Sequence, residues 1–180
     1  MRRKLAAAIG VAVGVAVGVG GTAGPAAAQS EEEIEAQEIA AVGTAKVGLA
    51  DAIAAAEERL GGKVAAGGLE VDADRLSYEL LVGKDGGGFA SARVDPATGA
   101  VDQAGEASLE PGKAVPPEGA KIDLAQAVRL AEAASGRKAL EAGVEPREGA
   151  AVYVVEVVEE GDEVSVHLVD PASGRVSDEE

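Results

Sequence analysis

The chain has one histidine, no cysteine and twice as many acidic as basic residues, and this limits the chemistry it can attempt. His167 is the single histidine, and Ser165 lies two residues before it on the same face of a strand-like run. A hydroxyl and an imidazole can make a nucleophile and its base. The base must also be oriented by a third group, and the sequence implies no carboxylate in that place. Packing of His167 against a sheet is the favoured reading. Paired acids are frequent: Glu57-Glu58, Asp72 with Asp74, Glu159-Glu160, and Asp162-Glu163. Such pairs serve glycosidases, and clustered oxygens hold calcium. No loop carries the D-x-[DN]-x-[DN]-G alternation, and residues 71–75 stop short of it, so these acids read as solvated surface charge. Gly61-Gly62, Gly67-Gly68 and Gly86-Gly87-Gly88 would cradle phosphate only between a buried strand and a helix start followed by lysine, and none is so placed. Without cysteine there is no thiolate nucleophile and no thiolate metal site. The residues point to no catalytic group, no cofactor and no metal.

The elements that carry these residues are written twice. VDPATGAV, Val94 to Val101, returns as VDPASGRV, Val169 to Val176, an offset of 169 − 94 = 75 residues. The same offset aligns Lys46 with Lys121, Leu49 with Leu124, Ala56-Glu57 with Ala131-Glu132, Gly61 with Gly136, and Tyr78 with Tyr153. The counterpart of His167 is Ala92, so a function common to both copies cannot rest on the histidine.

Each copy opens with a helix. Leu124, Val128 and Ala131 recur at helical spacing behind Asp123, with Gln126 completing a capping box. Leu49, Ile53, Ala56 and Leu60 form the matching stripe in the first copy, and Gly61 and Gly136 suit a left-handed stop. After a short variable connection comes a β-branched strand bearing Tyr78 or Tyr153. A polar turn and a second strand follow, 89–94 and 164–169. The octet is then a tight turn: Asp95 or Asp170 accepts backbone N–H groups, the proline fixes φ, and Gly99 or Gly174 supplies positive φ. A short third strand starts at Val101 or Val176. The expected fold class is α+β, with two repeated modules, each one helix packed on a small antiparallel sheet in the order α-β-β-β. Small side chains dominate the apolar content, so the two copies are expected to share a core.

The expected divisions are a signal peptide over 1–28, an acidic segment over 29–45, modules over 46–102 and 121–177, a Pro/Gly linker over 103–120, and an acidic tail over 178–180. The signal reading rests on Arg2-Arg3-Lys4, the apolar run from Leu5 to Gly20, and Ala26-Ala27-Ala28. Export to the periplasm or the medium follows, with no membrane span left after cleavage. Removing three positive charges takes the net charge to −16 − 3 = −19. Such a chain is repelled by nucleic acid and anionic lipid, which excludes both as partners.

The helix segments LADAIAAAEE and LAQAVRLAEA, the strand tyrosines Tyr78 and Tyr153, and the turn residues Asp95, Gly99, Asp170 and Gly174 together resemble the PepSY domain family. The resemblance covers two copies and most of the chain behind the signal. It implies an exported, non-catalytic module. Relatives occur in propeptides of thermolysin-type metallopeptidases, so the implied partner is a protein, an exported peptidase that the module binds and restrains. A binding module of the cell envelope, holding a small ligand or a membrane partner, is the alternative. The second hairpin adds an observation of its own. Val152, Val154, Val164, Val166 and Leu168 make its second face apolar, so that face is expected to be covered by the first copy, a second chain or a client protein.

Overall fold

A computed structural model describes residues 31–72, 75–84, 86–109, 114–147, 149–160 and 163–179. Glu31–Val42 forms α1, ahead of the first module. That module then runs α2 (Leu49–Leu60), β1 (Lys63–Asp72), β2 (Arg75–Gly83), β3 (Phe89–Val94) and β4 (Val101–Ala107). The second runs α3 (Leu124–Ser135), β5 (Lys138–Arg147), β6 (Ala150–Val158), β7 (Val164–Val169) and β8 (Val176–Asp178). The fold is α+β, with two modules in which a helix is followed by antiparallel strands. The proposed signal cleavage site lies outside the described residues.

The helices form where capping and apolar spacing agree. Asp123 accepts the Gln126 amide at 2.8 Å, and the Gln126 side chain accepts the Asp123 amide at 3.0 Å. Gly48 takes the same place before α2 without a side-chain cap. Both helices stop at a left-handed glycine, Gly61 (φ 69°) and Gly136 (φ 71°), whose amides bond Glu57 and Glu132 carbonyls.

Each module gains a strand that its sequence had presented as a connection. KVAAGGLEVD and KALEAGVEPR form β1 and β5. They carry few β-branched residues because they lie at the centre of the sheet, where neighbouring backbones crowd them. A Cβ on Gly67 would lie 2.4 Å from the Glu79 carbonyl oxygen and 2.9 Å from Leu80 Cα. The first-copy hairpin, glycine-rich at its turn, still returns as a regular strand from Phe89 to Val94. The third strand of that module extends through Ala107 into the segment read as linker.

One eight-stranded sheet results, in the order β4-β3-β2-β1-β5-β6-β7-β8. The modules join where β1 pairs with β5 antiparallel, over Ala66↔Gly143, Gly67↔Ala142 and Gly68↔Glu141. Positions 67 and 142 are equivalent (142 − 67 = 75), as are 66 with 141 and 68 with 143. The junction therefore has the self-complementary pairing of a two-fold dimer, built within one chain. Beyond it, Ala114 N–H donates to the Val144 carbonyl (2.8 Å), and Glu38 of α1 accepts the Val71 amide (3.2 Å).

The helices share one face. Ile39, Ile53, Val64, Tyr78, Leu80, Val128, Val144, Tyr153 and Val155 belong to a single buried cluster drawn from both modules. The copies do share a core. Arg129 of α3 reaches Asp51 of α2 at 2.9 Å across its surface.

Candidate functional site

The repeated residues form one joint per module. Asp95 Oδ1 accepts the Ala97 and Thr98 amides, both at 2.8 Å. Asp170 Oδ1 accepts the Ala172 amide (3.1 Å), the Ser173 amide (2.7 Å) and the Ser173 hydroxyl (2.7 Å). These bonds hold both carboxyl groups below the usual carboxylate range, with the Ala97 amide the main cause at Asp95 and the Ser173 hydroxyl at Asp170. Gly99 and Gly174 close the turns at φ 75° and 72°. The turn prolines then reach the helix entrance: the Pro96 carbonyl accepts Lys46 and Val47 amides, and the Pro171 carbonyl accepts Lys121 and Ile122 amides. From the sheet side, the Tyr78 hydroxyl donates to the Val47 carbonyl (2.7 Å) and the Tyr153 hydroxyl to the Ile122 carbonyl (2.9 Å). Burial pushes both phenols up to about 12. Turn, helix entrance and tyrosine make a mechanical unit. In each turn the aspartate Oδ1 accepts two backbone amides, the bonding of a tight turn.

Glu57 was read as surface charge and is a structural acceptor instead. Its carboxylate takes the Val64 amide (3.0 Å) and Lys63 Nζ (2.8 Å), and Glu132 takes the equivalent Ala139 amide at 3.0 Å. Each lies beside a register shift in β1 or β5. The aligned Glu57 and Glu132 were the signal for this, because a surface acid has no reason to recur at the same helical position. Glu57 also borders a groove of about 410 Å³, lined with it by Lys63, residues 116–124, Gln126 and Tyr153. Glu57, Asp123 and the Tyr153 phenol are engaged in the bonds already described, so the groove is a seam beside the loop that precedes α3.

His167 does have a nearby carboxylate, which the sequence did not imply. Asp178 Oδ1 lies 2.8 Å from Nδ1, across the β7–β8 register pair, without hydrogen-bond alignment. Ser165 Oγ is 3.4 Å from Nε2, but its hydroxyl also donates to Glu159 at 2.7 Å. The serine proton is directed to a carboxylate rather than to the imidazole, which is the wrong arrangement for an activated nucleophile. The contact fastens β8 to β7. Glu159 and Glu160 pair with Arg137 at 3.5 and 2.8 Å, and Glu179 pairs with Arg147 at 2.8 Å. Asp74 and Asp162 lie outside the described residues. Among the described residues no cluster of three His, Asp or Glu side chains is placed to hold a metal.

The two modules differ most on the sheet face away from the helices. Ser77, Glu79, Ser91 and Arg93 stand there in the first module. Their counterparts, 75 residues on (152 − 77 = 75), are Val152, Val154, Val166 and Leu168. Arg93 Nε donates to Glu79 Oε1, which also accepts the Ser77 hydroxyl at 3.3 Å. Glu79 and Ser91 are buried, and neither Glu79 Oε2 nor Ser91 Oγ has a partner among the described residues. Nearby Glu70 is pushed up to about 8, first by burial and then by Glu79. In the second module Val154 and Val166 are buried and pack with Ala66 of the first, while Val152 and Leu168 are half-buried. Val164 packs toward the main core instead.

Two equivalent modules, each a capped helix laid on an antiparallel sheet and tied by its turn and tyrosine, define a tandem α+β protein. The chain belongs to the PepSY family, "Peptidase propeptide and YPEB domain", whose family profile matches residues 46–101 and 121–180. PepSY domains are generally non-catalytic. No curated protein matches the chain. Among solved structures, a candidate lipoprotein from Clostridium difficile 630 is similar at 16% identity and a TM-score of 0.43, over 75% of this chain and 95% of that one. Among the described residues no helix is long and apolar enough to cross a membrane.

Proposed function

We propose that this protein is an exported, non-catalytic PepSY protein that binds and restrains a peptidase outside the cytoplasm. Membership of a family named for peptidase propeptides supports the choice of partner, and the N-terminal sequence supports export. One observation carries the binding role: four equivalent face positions are polar or charged in the first module and aliphatic in the second. A fold needs no such divergence, since the first module is stable with Glu79 and Arg93 where the second has Val154 and Leu168. Half-buried Val152 and Leu168, seated over buried Val154 and Val166, are the docking patch, while the other half of the face presents Arg93 paired to Glu79.

The test is to add the purified protein, lacking residues 1–28, to the secreted peptidases of its own host and follow peptidase activity and co-purification. The double substitution Val154→Glu with Leu168→Arg transfers the first module's cross-strand pair onto the second. It should preserve folding and abolish inhibition. Absence of inhibition and of any co-purifying peptidase with the unaltered protein refutes the proposal.

A further inference from the structure

We infer that the outer edge of β4 is a strand-addition site for a basic, extended segment of a protein partner; this rests on the binding role proposed above and gives it a location. The sheet order leaves β4 and β8 as its two edges. They are equivalent in the repeat and differ in length: β8 has 3 residues and β4 has 7. Among the described residues no strand lies beyond β4. A long open edge is a template for another chain.

The outward backbone groups can be identified. Asp95 N–H donates to the Ala100 carbonyl, so the alternation places the Asp102 backbone toward β3 and the Val101 and Gln103 backbones outward. The register shift between Ser91 and Ala92 reverses that parity, which turns Gly105 and Ala107 inward and the Glu106 amide outward. An incoming strand would bond at Val101, Gln103 and Glu106.

Charge selects the occupant. Asp102 is exposed, and the Glu106 side chain is 92% exposed, with Lys84 3.6 Å away. Asp102 stands opposite Arg93 on the face away from the helices and Glu106 opposite Ala90 on the helix side, so each face of the edge carries an acid, and a second copy of β4 would bring the same acids to the seam in a protein of net charge −16. Like charges brought together across a seam oppose pairing, whereas lysine or arginine facing them favours it. The edge therefore rejects itself and accepts a basic strand.

The experiment titrates the protein with two capped peptides, one alternating lysine with valine and one alternating glutamate with valine, while amide exchange is followed by NMR. The lysine peptide should slow exchange at Gln103 and Glu106 and the glutamate peptide should not. Glu106→Pro removes the outward N–H and Glu106→Gln keeps it; both lose the same charge. Binding should weaken roughly tenfold more in the proline variant than in the glutamine variant. Should the proline disturb the fold, Asp102→Lys with Glu106→Lys takes its place and should transfer preference to the glutamate peptide. Equal binding by the proline and glutamine variants, protection confined to other strands, or protection that grows with protein concentration alone overturns the site. Peptidase inhibition that survives in a folded Glu106→Pro protein would reject this edge and leave the proposed function standing.

Discussion

Gly67 pairs with Ala142, the residue that holds its own position in the second copy. The pseudo-two-fold axis of the molecule passes through that pair, so the duplication is an internal dimer and not a string of separate domains. The junction is only three residue pairs wide. The shared core under α2 and α3 supplies most of the adhesion between modules.

Because the Gly67 site is closed by backbone, with Glu79 O at 2.4 Å and Leu80 Cα at 2.9 Å from an added Cβ, Gly67→Ala must move β2. A loss of about 1–3 kcal/mol in urea unfolding is expected. Gly68→Ala meets Glu141 Cγ at 2.9 Å and Glu141 Cβ and the Leu140 carbonyl oxygen at 3.0 Å, a looser clash than at Gly67, and should cost less. An equal or reversed order would show that β1 is not held against β2 as described.

Tyr78→Phe and Tyr153→Phe each remove one hydroxyl bond to the residue two places before a helix. Each should destabilise by about 1 kcal/mol. Since Tyr78 and Tyr153 sit in different modules, the double variant should be close to additive. Denaturant midpoints measure both.

The Glu70 carboxyl, raised to about 8, makes stability fall with rising pH. The folded state holds a proton that the unfolded chain releases near the ordinary glutamate value. Folding is therefore unpenalised below that value and loses stability as pH climbs from there to about 8. Burial is the first cause; Glu79, Glu38 and Asp72 add to it and Arg93 opposes it. Glu70→Gln should flatten the slope of thermal stability across that window, an effect on the order of a few kcal/mol. A slope unchanged in the variant would remove Glu70 as its source.

Asp95 and Asp170 work in the opposite sense. Their lowered carboxyl groups contribute stability that is complete above the ordinary aspartate value and is lost as pH falls through the folded value. Asp170→Asn and Asp95→Asn should each lower the melting temperature at neutral pH and leave it nearly unchanged near pH 2. Asp170 is exposed and Asp95 partly so, and both effects shrink with added salt.

The repeat, the helices with their caps, the tyrosine strands and the aspartate–glycine turns were legible along the chain, because each is written in a local pattern of period, cap or turn residue. The α+β class followed from their order. Glu57 and Glu132 were half-legible: their recurrence was visible, but not their role, because the amides they accept lie seven residues on, past a helix end. The tertiary structure alone decided that β1 and β5 are strands and that they pair with each other. Central strands that approach closely need glycine and alanine, which weakens the β-branched signal used to recognise a strand. It alone brought Asp178 to His167, and it alone set Glu79 across from Arg93 where Val154 meets Leu168. Those are contacts between distant segments, and the sheet register that creates them is a property of the whole fold.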